Sequence, residues 1–227
     1  RKKDNQVGLG VLGLSNLLAI ENVTYKEFVA AMRRTNLGVR PAEITMADSI
    51  ALAIHQGMQG AARVADEHKM TRAFTVAPTA TCSYRYVDRE GYTTTPEIAP
   101  PISREVDRDS STLGVHSYKY HPKCEIAQEV GWDTFFELNC EWQVMMDKTK
   151  KAHAISMNWW SDLVKFDRQF MSRWLNSPLK SLYYSLQVMP STQDKSNVYA
   201  AISETDVDDY LSEILTEDNQ ITCDCAE

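Results

Sequence analysis

The chain has 227 residues, is 43% hydrophobic and 24% charged, and carries a formal net charge of -7. That size and balance suit a globular chain able to bury a core. The acidic balance argues against broad nucleic-acid binding, which needs a basic face, and no apolar run is long enough to span a membrane.

Five cysteines, Cys82, Cys124, Cys140, Cys223 and Cys225, are odd in number and irregular in spacing. This speaks against a secreted disulfide framework and for reduced thiols in the cytoplasm. The opening "RKKDNQ" has neither an initiating methionine nor a secretory leader. A fragment, or the second half of a split protein, is expected.

"VGLGVLGLSNLLA" places G-x-G-x-x-G at Gly8, Gly10 and Gly13. One reading is a dinucleotide fingerprint, which requires a preceding strand and a βαβ unit. The other is a tight strand-to-helix turn whose glycines allow close packing. Leu14, Leu17 and Leu18 then follow with helical spacing.

Thr24 to Arg34 reads as a short helix with Phe28, Ala31 and Met32 on one face. Thr45 to His68 reads as a longer one, with a stripe of Ile50, Ile54, Met58, Ala61 and Ala65. His55 lies beside that stripe and is read as structural. Phe74 to Ala77 is a strand. Thr112 to Cys124 is loop-like, with Gly114 and Pro122. Asp133 to Lys151 is a helix with Phe136, Cys140 and Val144 at spacing four.

Ala154 to Trp159 reads as a strand, Arg168 to Leu175 as a helix stopped before Pro178, and Lys180 to Gln187 as another strand. The rhythm is that of an α/β protein with buried strands. Residues 203–216 form an acidic amphipathic helix, with Thr205 as cap and Asp206, Asp208 and Asp209 in the first turn. Residues 217–227, "EDNQITCDCAE", form a polar tail.

Three stretches can carry chemistry. "APTATCS" follows the Phe74 to Ala77 strand, so Thr79, Ala80, Thr81, Cys82 and Ser83 sit at its carboxyl end. Ligands bind at that edge in α/β folds, and successive N–H groups of small residues can form an anion nest. The competing reading is a turn rich in Ser and Thr.

Cys223 and Cys225 form a C-x-C pair on the tail. No second pair exists to complete a metal site, so the choice is between thiol–disulfide exchange and two exposed cysteines with no role. Tyr183 and Tyr184 are adjacent in a strand, hence on opposite faces. They are either one core and one outward tyrosine, or a redox pair. Trp159 and Trp160 are read as packing aromatics.

In this order, "VGLGVLGLSNLLA", "APTATCS…PEIAPP", "DKTKKAHAISMNWW", "LKSLYYSLQ" and the two-cysteine tail resemble the carboxyl-terminal part of the large catalytic subunit of ribonucleotide reductase. The resemblance runs from about Val7 to Cys225. It implies the carboxyl-terminal part, residues 1–202, of a ten-stranded α/β barrel that is incomplete alone, followed by the 203–216 helix and the 217–227 redox tail.

It implies that Thr79, Ala80, Thr81, Cys82 and Ser83 bind the substrate diphosphate. It further implies that Tyr183 and Tyr184 relay a radical, and that Cys223 and Cys225 reduce the active-site disulfide. "EIAPP", Glu97 to Pro101, resembles the family's "I-E-P" segment but departs in order. Cys82, Cys124 and Cys140 match none of the positions of the radical-bearing cysteine, so the chain alone should not catalyse.

The implied partners are the amino-terminal part of the subunit, a small radical-generating subunit, thioredoxin or glutaredoxin, and the nucleotide substrate. Membranes and nucleic acids are not among them. "LYYS" favours class I, in which the radical comes from a metal-containing small subunit and this segment binds no metal or other cofactor itself. The alternatives are a class II enzyme using adenosylcobalamin, or a non-catalytic α/β module that holds a phosphorylated ligand or a partner. The implied location is the cytoplasm, of a bacterial host for a phage-encoded member.

Overall fold

Four short parallel strands set the architecture. The computed structural model describes residues 5–77, 79–110, 114–160 and 167–185. The chain divides into two compact units, Arg1–Val188 and Met189–Glu227. The second unit lies outside the described residues. So do the expected 203–216 helix, the 217–227 tail, Cys223 and Cys225.

The chain runs β1 (Gln6–Leu9), α1 (Leu14–Ile20), α2 (Tyr25–Leu37), α3 (Met46–Glu67) and β2 (Arg72–Val76). It continues through α4 (Ala80–Ser83), β3 (Glu105–Ser110), β4 (Gly114–Lys119), α5 (Ala127–Asp147), β5 (Ala152–Trp160), α6 (Arg168–Leu175) and β6 (Ser181–Ser185). This is an α/β chain. Among the described residues, no helix is long and apolar enough to cross a membrane.

The main sheet has the order β1-β2-β5-β6, and every described pairing in it is parallel. Strand order therefore equals chain order. Parallel neighbours need crossovers, and here helices supply them. Crossovers of one hand that always step in one direction place all their helices on one face of the sheet. α5 packs on β5, and α3 touches β2.

Local chemistry explains the helices. Thr24 caps α2: its hydroxyl accepts from Glu27 N–H at 3.2 Å while Glu27 Oε2 accepts from Thr24 N–H at 2.8 Å. Thr45 and Asp48 repeat this reciprocal box at the start of α3. Asp48 also accepts from Arg34 at 2.6 Å, which ties α3 to α2. α2 lies between α3 and α5. Its Phe28, Ala31 and Met32 are fully buried, as their spacing predicts.

Two stripes differ from expectation. On α3 the buried apolar residues are Ala47, Ile50, Ala51, Met58, Ala62 and Ala65, while Ile54 and Ala61 are half-buried. α3 packs mainly on α2, and its buried apolar positions are mostly alanines, which permit close approach. On α5 the buried set includes Phe135, Leu138, Trp142, Met145 and Met146, while Cys140 and Val144 are half-buried. α5 is covered by α2 on one side and β5 on the other, so its buried face is wider than one stripe. α5 also breaks at Gly131 (φ 73°), which explains the expected start near Asp133.

The reading of Thr112 to Cys124 as loop is corrected. Gly114–Lys119 pairs antiparallel with Glu105–Ser110, from Glu105↔Lys119 to Ser110↔Gly114. The hairpin is polar along most of its length, so it lacks the alternation that marks a half-buried strand. Backbone pairing, not burial, defines it.

Candidate functional site at the carboxyl edge of the sheet

The parallel register gathers the expected site segments at one edge. Val76 pairs with Ile155, and three residues further along β5, Asn158 pairs with Tyr183 of β6. Three residues beyond Val76 on the β2 side is Thr79. Tyr183 and Tyr184 therefore lie at the same sheet edge as the Thr79–Ser83 segment. β1 also ends there, since Leu9 pairs with Phe74.

Thr79 to Ser83 make one helical turn, closed by Ser83 N–H donating to Thr79 O at 2.9 Å. The first amides of such a turn have no partner within it. Thr79 is half-buried, and its Oγ1 has no hydrogen-bond partner among the described residues. Cys82 is exposed and Ser83 fully buried. Ala80 and Thr81 are placed by their backbone in α4. Tyr84, the next residue, stacks on Tyr118 of the hairpin at 4.1 Å.

The glycine motif is a packing device. At Gly8 a Cβ would lie 2.5 Å from Thr75 Cγ2. Gly13 (φ 76°) is the N-cap of α1, and a Cβ there would lie 2.9 Å from Thr94 Cγ2. Two amides at the start of α1 are already taken. Gly13 N–H donates to Thr95 O at 2.9 Å, and Leu14 N–H donates to Glu97 O at 3.2 Å. This occupancy and the close packing at Gly8 and Gly13 favour the strand-to-helix turn over the dinucleotide reading.

Asn16 completes the clasp between α1 and the 93–97 segment. Its Nδ2 donates to Thr93 O at 3.0 Å and to Asp88 Oδ2 at 2.8 Å, and its Oδ1 accepts from Thr95 N–H at 2.8 Å. A buried asparagine in a leucine-rich run is costly unless every polar atom is paired, and here each is. That polar interruption, Ser15-Asn16 after a glycine turn, was the signal in the sequence.

Glu97 is the residue that sequence reasoning left without a role. It is 6% exposed and holds a left-handed backbone at φ 38°. Such a conformation in a non-glycine residue persists only where surroundings over-determine it. Its carboxyl accepts from the Ala77 backbone N–H. Oε2 has no partner among the described residues. Burial pushes this carboxyl up to about 7, against the smaller opposing effect of the Ala77 N–H.

Nearby, Thr95 is fully buried with an unpartnered Oγ1. Unpaired buried polar atoms are uncommon in a finished interior, so Thr79 Oγ1 and Glu97 Oε2, brought together by the Glu97–Ala77 bond, mark this edge among the described residues. The arrangement offers a desolvated carboxyl that holds its proton up to about pH 7, hydroxyls and backbone amides, a set suited to holding anionic oxygens. Among the described residues, no group of three or more His, Cys, Asp or Glu side chains is placed to hold a metal ion.

No protein-family model matches the chain, and no curated protein does.

Proposed function

We propose that the chain is the carboxyl-terminal part of the catalytic subunit of a ribonucleotide reductase, in which Thr79, Ala80, Thr81, Cys82 and Ser83 hold the substrate diphosphate. The observation that carries the reading is the strand order: β1-β2-β5-β6 follows chain order, with the Thr79–Ser83 turn at the carboxyl edge. A singly wound parallel sheet with helices on one face is how part of an α/β barrel is built.

A second observation adds support. β1 is an edge strand whose four residues are all exposed, Val7 and Leu9 by 47% and 53%. An open parallel edge with apolar side chains invites a further strand. On this reading the missing strands and the radical-bearing cysteine come from the amino-terminal part of the subunit.

Tyr183 and Tyr184 then relay the radical from a small metal-containing subunit, and Cys223 with Cys225 returns reducing equivalents from thioredoxin or glutaredoxin. The deciding experiment mixes the chain with an amino-terminal reductase portion, the small subunit, thioredoxin and a ribonucleoside diphosphate. Deoxyribonucleotide formation that requires this chain is the expected result. A stable assembly that forms none would refute the reading.

A further inference from the structure

The carboxyl group of Glu97 is wedged between the ends of two strands. A Cβ at Gly10, just past β1, would lie 3.3 Å from Glu97 Oε1 and 3.1 Å from Thr75 O. On the β2 side the carboxyl accepts from Ala77 N–H. Ala77 is two residues before Thr79, whose Oγ1 is also buried and unpartnered. The groups placed around the Glu97 carboxyl are thus Gly10, whose lack of a Cβ leaves room for it, and the Ala77 amide. Neither is charged or titratable, and no charged side chain among the described residues acts on the carboxyl.

The loop is held from behind, so this placement is not accidental drift. Glu97 O, Thr95 O and Thr95 N–H are all bonded to the start of α1. A carboxyl held there with one oxygen unpaired carries a desolvation cost that an additional partner would relieve. An anionic carboxylate would repel a phosphate. The protonated acid has an O–H to donate.

We propose that Glu97 contacts the bound phosphate group directly, its neutral carboxylic acid donating a hydrogen bond from Oε2 to a phosphate oxygen of the anion held by the Thr79–Ser83 turn. This rests on the phosphate-binding reading of that turn. The proton stays on Glu97, and ligand is released when the carboxyl ionises. Anion binding at this edge is thereby gated by pH near neutrality.

The test measures binding of inorganic diphosphate to the full chain at pH 6 and pH 8, for the natural sequence and Glu97→Gln. Glutamine is close in shape and donates at both values. Diphosphate itself titrates in this range, so the ratio of the two proteins' affinities is the readout. That ratio should change about tenfold between the two pH values, against the natural chain at pH 8, as expected for one group titrating near the midpoint.

Should Glu97→Gln not fold, carboxyl-labelled glutamate in the natural chain gives an independent measurement. The carboxyl titrating near neutrality should shift its midpoint upward when diphosphate saturates the site. A constant affinity ratio, or an unmoved midpoint, overturns the Glu97 contact and leaves the phosphate reading of the turn standing. Absence of diphosphate binding by either protein at pH 6 overturns both.

Discussion

Gly10 and Glu97 lie side by side at the end of the sheet: a Cβ at Gly10 would stand 3.3 Å from Glu97 Oε1. The two residues are far apart in the chain, yet each limits what the other position can hold. Glycine at residue 10 makes room for the acid, and the acid fills the space a side chain would take.

Gly10→Ala should therefore lower stability by about 1 kcal/mol, the low end of overpacking costs, because the Thr75 carbonyl at 3.1 Å is backbone and yields little. Part of that cost comes from Glu97. In a double-mutant cycle with Glu97→Ala, urea denaturation should show a coupling of about 0.5 kcal/mol or more. Additive effects would mean that the two residues do not meet in solution.

Glu97 also predicts how stability depends on pH. Its carboxyl is raised from 4.5 to about 7 in the folded chain. The folded state thus holds the proton more tightly than the unfolded state. Its contribution is fully present below pH 4.5 and is lost as pH rises through about 7. The full change is on the order of 3 kcal/mol, from roughly 1.36 kcal/mol per pKa unit. Glu97→Gln should remove this fall between acidic and neutral pH. A variant whose stability profile parallels that of the natural chain would show that Glu97 is solvated.

Tyr183 and Tyr184 occupy consecutive positions of β6, opposite Asn158 and Trp159 of β5. Phenylalanine at either position keeps ring size and removes the phenolic proton. In the reconstituted enzyme, Tyr183→Phe or Tyr184→Phe should abolish deoxyribonucleotide formation while diphosphate binding survives. Undiminished turnover in either variant would eliminate the relay and leave the pair a structural role.

Cys223 and Cys225 flank Asp224, with Glu217, Asp218 and Glu227 close in sequence. Like charge disfavours a thiolate, so exchange should be slower than at a low-pKa dithiol. In pre-reduced, reconstituted enzyme, Cys223→Ser or Cys225→Ser should complete a first turnover. Continued turnover with thioredoxin should stop, and a small dithiol should partly restore it. A double variant that cycles normally with thioredoxin would remove the tail from the reaction.

The sequence by itself determined the long helices α2, α3 and α5 and the positions of β2, β5 and β6, because those signals are local. Thr24 and Thr45 stand before apolar periodic runs with an acid three residues on, and both boxes form. Phe28, Ala31 and Met32 share a face at any packing partner. The bounds of α6, Arg168–Leu175, follow from its own residues and the proline beyond. The Thr79–Ser83 segment was legible as a strand end of small polar residues.

Tertiary structure alone decided what depends on residues distant in the chain. The exposed, polar β3–β4 hairpin exists through cross-strand pairing that no periodicity announces. The glycine motif of Gly8, Gly10 and Gly13 has the spacing of a phosphate loop. The amides of Gly13 and Leu14 are instead taken by the Thr95 and Glu97 carbonyls, which arrive from beyond β2. Glu97 reads in sequence as one acid among prolines. Only the folded chain brings Gly10 and Ala77 to it, strips its water and gives it a near-neutral titration. Desolvation is a property of the surroundings, and those come from two stretches distant in the chain from Glu97 itself.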